Sequence, residues 1–292
     1  MSVHADTLDP AVDRASRALE ALGFPAPRAL FLLATGVGFL PERLSGAQRL
    51  DLSEVDGVPA PWRHAQLIAG QLLGLDLWLL DDLSGEAMAM ADAPPWVRGF
   101  PAWLAAARGA RVLVCAAAGA ALSATDGSTA GLQPGDLALV RDHINLSGRT
   151  PLLGLGPSKC GPLFPDPSRL HDGALRQAAL RAGAKLGLDL REVVVAATSG
   201  PSLDTAAERR FYARAGADVA VQNLESPLIA AAHAGLVALA IVAITDAGEG
   251  RADLRRLLER SSDAAPALED LLVAIAPAVD AAVRAFESEE RP

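Results

Sequence analysis

The chain has 292 residues, of which 51% are hydrophobic and 21% charged, enough apolar material for a sizeable buried core. A formal net charge of -9 argues against a surface that grips a nucleic-acid backbone, which needs clustered Lys and Arg. Two cysteines, Cys115 and Cys160, set up no disulfide framework. No basic stretch followed by an apolar run opens the chain, and no apolar run reaches membrane-spanning length, so a cytoplasmic protein that binds neither nucleic acid nor membrane is expected.

In chain order, Pro10 to Leu22 places Val12, Ala15, Leu19 and Leu22 at helical spacing, with Asp9 as the expected N-cap. Ala29 to Ala34 reads as a buried strand ending at the small-residue turn Thr35-Gly36-Val37-Gly38. Further continuous apolar runs at 75–80, 112–118, 193–197 and 236–244 have the character of strands covered on both faces. Gly135 to Leu146 reads as a strand followed by a tight polar turn, and 147–171, rich in Gly and Pro, as a long loop. Helical patterns follow at 172–186, 205–215 and 227–234. A last one, at 266–286, lines up Leu268, Leu271, Leu272, Ile275, Val279 and Val283. The alternation predicts an α/β fold with a mixed or largely parallel sheet.

Three ordered motifs carry a family resemblance. Gly135-Asp136-Leu137-Ala138-Leu139-Val140-Arg141-Asp142-His143-Ile144-Asn145-Leu146 closely resembles the GD-to-DHINL segment of the trimeric purine nucleoside phosphorylases, whose relatives include the methylthioadenosine phosphorylases. Gly200-Pro201-Ser202-Leu203-Asp204-Thr205-Ala206-Ala207-Glu208 is similar to that family's GPSFETxAE motif. Ile244-Thr245-Asp246 then falls at family spacing. The similarity runs from about residue 28 to about residue 285 and is patchy between 40 and 105.

The resemblance implies one domain over residues 1–292, a mixed and partly closed sheet surrounded by helices, usually assembled as a homotrimer. It implies phosphorolysis of a purine nucleoside to the free base and ribose 1-phosphate, with inorganic phosphate as co-substrate and no cofactor or metal. By position, Asp246 is the candidate catalytic group at purine N7, and it favours a 6-aminopurine. Thr35, Ala117 and Asn223 fall at the phosphate site, and Ala118, Gly119, Leu203, Asp204 and Gln222 at the nucleoside. The family's phosphate-site arginine and histidine are replaced by the acidic run Asp81-Asp82-Leu83-Ser84-Gly85-Glu86. Arg63 and His64 are the candidate replacements for that cation. His143 reads as structural, and His171 as filling the place of a family tyrosine. Two other readings stay open: a hydrolytic nucleosidase that uses the new carboxylates, and a non-catalytic member that binds purines or nucleosides.

Overall fold

Among the described residues, nine strands form one continuous sheet, in which the last strand returns to pair with the fifth. The computed structural model describes residues 7–34, 38–82, 90, 92–123, 131–248 and 253–289. Its helices are α1 (Leu8–Ala21), α2 (Phe100–Ala107), α3 (Gly173–Lys185), α4 (Ala206–Arg214), α5 (Glu225–His233) and α6 (Leu254–Glu289). The strands are β1 (Ala29–Leu33), β2 (Ser45–Asp51), β3 (Gln66–Leu72), β4 (Leu75–Asp81), β5 (Val112–Ala121), β6 (Leu137–Asn145), β7 (Arg191–Thr198), β8 (Val219–Gln222) and β9 (Val237–Ala247).

The second pairing of β5 makes β5, β8, β7, β6 and β9 a closed ring, with β1 to β4 as an open wing. β5 runs parallel to β1 and β9 but antiparallel to β8, so the sheet is mixed. Alternate residues of β5 and β9 feed two different cores. Leu113, Cys115, Ala238, Ala240 and Val242 join buried residues of α1, α2 and α5. Val112, Val114, Val237, Leu239 and Ile241 join those of α3 and α6. Burial on both faces explains why these strands lack apolar/polar alternation. All six predicted apolar residues of the last helix are buried, each contributing roughly 1.5–3 kcal/mol by transfer from water.

Several elements differ from expectation. The last helix starts at Leu254 and carries Pro266 and Pro277 inside it. Helix α1 begins two residues earlier than predicted, with Thr7 at the N-cap position. Asp9 instead accepts hydrogen bonds from the Ser158 hydroxyl (2.5 Å) and the Lys159 N–H (2.9 Å), tying down the long loop. The polar half of the DHINL segment is strand rather than turn: β6 continues through Asn145, pairing with β7.

Candidate functional site

The closed ring brings the C-terminal end of β8 beside the C-terminal halves of β5 and β9, and a cavity of about 650 Å³ opens there. That volume lies within the range of small-molecule sites. Small residues at the end of β5 follow from the packing. A Cβ on Gly119 would sit 2.6 Å from Val242 Cγ1 and 2.8 Å from Val219 Cγ1, so only glycine lets β8 and β9 close around this position. Ala117, Ala118 and Gly119 thus present backbone to the cavity without side-chain bulk.

The β8 end contributes Gln222 and Asn223. Asn223 adopts φ 60°, a left-handed conformation that Asn tolerates better than most residues. Gln222 donates through Nε2 to the Ser202 carbonyl at 2.8 Å, holding the 200–205 segment against the site. That segment places Leu203 and Asp204 on the cavity wall. Thr205 and Glu208 then form a reciprocal capping box that starts α4. Asp204 accepts from the Tyr212 hydroxyl at 3.3 Å, and burial raises its carboxyl pKa above the ordinary value.

Arg209, on the first turns of α4, lines the same cavity and is 4% exposed. Its Nη2 donates to Asp246 Oδ2 at 2.8 Å and its Nη1 to the Gly248 carbonyl at 3.0 Å, while its buried Nε has no partner among the described residues. Arg260 of α6 approaches Asp246 Oδ1 at 3.6 Å and donates to the Thr245 carbonyl at 3.0 Å. Asp246 is therefore in the cavity as the acceptor of an ion pair, not as a free acid. Nothing in the motif itself announced Arg209. The one available signal was the capping box, which fixes where α4 begins and so places Arg209 next to the β9 end.

Eight of the predicted site residues converge here: Ala117, Ala118, Gly119, Leu203, Asp204, Gln222, Asn223 and Asp246. Thr35 lies outside the described residues, as do 83–86 of the acidic run; Leu33 and Ala34, just before Thr35, line the cavity. Asp81 and Asp82 line it too, and Arg209 is the only cation among the described lining residues.

Arg63 and His64 do not join the site. Trp62 is fully buried and donates through Nε1 to the Val97 carbonyl at 2.6 Å, and the two residues that follow it face outward. Arg63 donates to the Val58 carbonyl at 3.0 Å and lines a different cavity of about 460 Å³, with Arg14, Asp56 and Trp96. Another cation reaches the site's edge: Arg149, in the long loop, donates through Nη1 to Asn223 Oδ1 at 3.4 Å.

Comparisons with known proteins agree with this architecture. A family model described as the phosphorylase superfamily matches residues 100–277. Purine nucleoside phosphorylase 1 of Geobacillus stearothermophilus is 29% identical over 250 residues, covering 83% of this chain and 86% of that protein. The purine nucleoside phosphorylase of Bos taurus is 30% identical over 260 residues, covering 84% of this chain and 87% of that one. In fold, a schistosoma purine nucleoside phosphorylase in complex with hypoxanthine superposes with TM-score 0.79 at 20% identity, over 93% of this chain and 98% of that chain. Isoform 2 from Schistosoma mansoni, in complex with cytosine and ribose-1-phosphate, gives TM-score 0.80 at 20% identity, over 93% and 97%.

Proposed function

The chain belongs to the phosphorylase superfamily, within its purine nucleoside phosphorylase family, and on that premise we propose that it cleaves purine nucleosides with inorganic phosphate, releasing the base and ribose 1-phosphate. The observation that carries the reading is the convergence of the 200–208 and 244–246 motifs, the small residues of β5 and the β8 end on one cavity. The continuous sheet supports treating residues 1–292 as one domain. No helix among the described residues is long and apolar enough to cross a membrane. A cytoplasmic homotrimer is the assembly expected of the family.

Phosphorolysis needs an anion held against a sugar that becomes cationic, beside a base that becomes anionic. We assign the anion to the backbone of Ala117 and the side chain of Asn223, with Thr35 as a further donor. Arg149, in contact with Asn223, replaces Arg63 as the proposed cation. Such a cation offsets the repulsion between phosphate and the lining carboxylates Asp81 and Asp82. At the base, Arg209 supplies positive charge where the leaving purine gains negative charge. Asp246 anchors that guanidinium. Asp204 sits at the other base-facing position, as hydrogen-bond acceptor or, protonated, as donor.

This arrangement favours a 6-oxopurine over the 6-aminopurine expected from Asp246 alone. A guanidinium offers only donors, which match a 6-oxo acceptor and not a 6-amino group. The test is purine release from inosine, guanosine, adenosine and methylthioadenosine, with and without phosphate. Release that requires phosphate and is fastest with inosine or guanosine supports the reading. Equal release without phosphate indicates a nucleosidase and contradicts it.

A further inference from the structure

A second cavity, of about 730 Å³, shares no lining residue with the first and contains Asp142, His143 and His171. One ligand-type atom from each of these three lies within 4.8 Å of the others, the only such grouping of metal-binding side chains among the described residues. Adjacent residues on a regular strand point to opposite faces, so Asp142 and His143 should not converge. Here the Asp142 carboxylate turns back along the strand, its Oδ1 accepting from the His143 N–H at 2.8 Å, just after an irregularity in β6. Val140 pairs with Val193 and Asp142 with Val194, leaving Arg141 as an extra residue in a bulge.

His171 arrives from the far end of the long loop, and its backbone is fixed from several sides. It bridges to Ala238, whose N–H bonds the preceding Leu170 carbonyl at 2.7 Å, and its own carbonyl accepts from Arg176 Nη1 at 2.6 Å. The rings meet with His143 Nδ1 and His171 Nε2 2.9 Å apart, at an interplanar angle of 66°. His171 Nδ1 is buried without a partner among the described residues. Arg176 lines this cavity, but its charge is met by Glu192 at 2.6 Å.

We propose that Asp142, His143 and His171 bind a divalent first-row metal ion, with zinc the best fit, and that the ion clamps the end of the 147–171 loop to β6. Two imidazoles and one carboxylate form a borderline donor set suited to zinc and its neighbours. Zinc–nitrogen bonds of about 2.0–2.1 Å at a tetrahedral angle put two ligand nitrogens about 3.3 Å apart. A ring displacement of roughly half an ångström therefore converts the 2.9 Å ring–ring contact into a ligand pair. Water from the cavity these residues line would complete the shell.

The competing explanation is a plain hydrogen bond between two neutral rings, and the experiment separates the two. Chelator-treated protein is titrated with zinc by calorimetry and with cobalt(II) by visible absorption, alongside His171→Phe, His171→Gln and the distant control His64→Ala. The expected result is one equivalent of zinc bound by the parent and by His64→Ala, at least 10-fold weaker binding in both His171 variants, and a higher Tm with metal in the parent alone. Parent binding no tighter than that of a folded His171 variant, or a cobalt spectrum the same in both, overturns the proposal. Purine release is not a readout here, so failure of the phosphorylase reading leaves this test unaffected.

Discussion

Replacing Arg209 with methionine removes a guanidinium whose side chain is 5% exposed and leaves Asp246, 14% exposed, without its 2.8 Å partner. Breaking a buried pair from one side costs about 3–5 kcal/mol, because a charge is left in poor solvent. Arg260, 3.6 Å from the other carboxylate oxygen, retains part of the compensation. The low end, about 3 kcal/mol, is therefore expected by urea unfolding. In the double variant Arg209→Met/Asp246→Asn neither charge remains, and its cost should fall short of the sum of the two single-variant costs by about 1–3 kcal/mol. The same cycle on kcat reads the catalytic role. Loss of an electrostatic stabiliser aimed at developing charge costs on the order of 10²–10³ in rate, and this loss should persist in the double variant. Stabilities that add within about 0.5 kcal/mol would show that the pair is not coupled. An unchanged kcat in Arg209→Met would remove Arg209 from the chemistry.

Gly119→Ala should destabilise the protein by about 1–3 kcal/mol in urea, since the new methyl collides with Val242 and Val219; an unchanged midpoint would mean the ring is looser than described. Arg149→Ala should raise KM for phosphate about 10-fold or more, the equivalent of one charged hydrogen bond of about 1.5–3 kcal/mol. Arg63→Ala should leave KM for phosphate unchanged, and the reverse pattern would restore Arg63 as the phosphate cation. Asp204 is raised in the folded state by burial, so the folded protein holds this proton more tightly than the unfolded chain. Its contribution is favourable below the ordinary carboxylate pKa and is lost as pH rises through the folded value. Asp204→Asn should therefore gain stability relative to the parent as pH rises from below 3.8, the ordinary value, towards neutrality. A gain that is the same at acid and neutral pH would mean that Asp204 titrates normally.

What was legible in the sequence divides along burial. The strands that read clearly, such as β1 and most of β9, are covered on both faces and appear as unbroken apolar runs. Strand β2 reads as nothing in particular because Ser45 to Asp51 is almost wholly exposed and polar. Helix α2 is buried through most of its length, so Phe100 to Ala107 has no amphipathic period to detect. The DHINL segment misled in another way: its polar composition suggests a turn, whereas pairing with β7 makes it a bulged strand.

At the site, positions tied to ordered motifs fell together because the ring closes at the ends of the strands that carry them. The cations did not follow the same logic. Arg63 was a candidate because its segment is similar to one that flanks the family's phosphate loop, yet the buried Trp62 anchors that segment and Arg63 bonds the Val58 carbonyl instead. Arg209 and Arg149 come from a helix and a loop whose placement only the tertiary structure reveals. A long side chain can deliver its charge several ångströms from its backbone, and short-range sequence patterns carry no record of where it lands.

The most direct test is phosphorus NMR of the purified protein with inosine and inorganic phosphate. Loss of inorganic phosphate matched by an equal gain of ribose 1-phosphate, in step with hypoxanthine release, is the expected result. Free hypoxanthine with no sugar phosphate signal would contradict phosphorolysis and assign the carboxylate-lined cavity to hydrolysis.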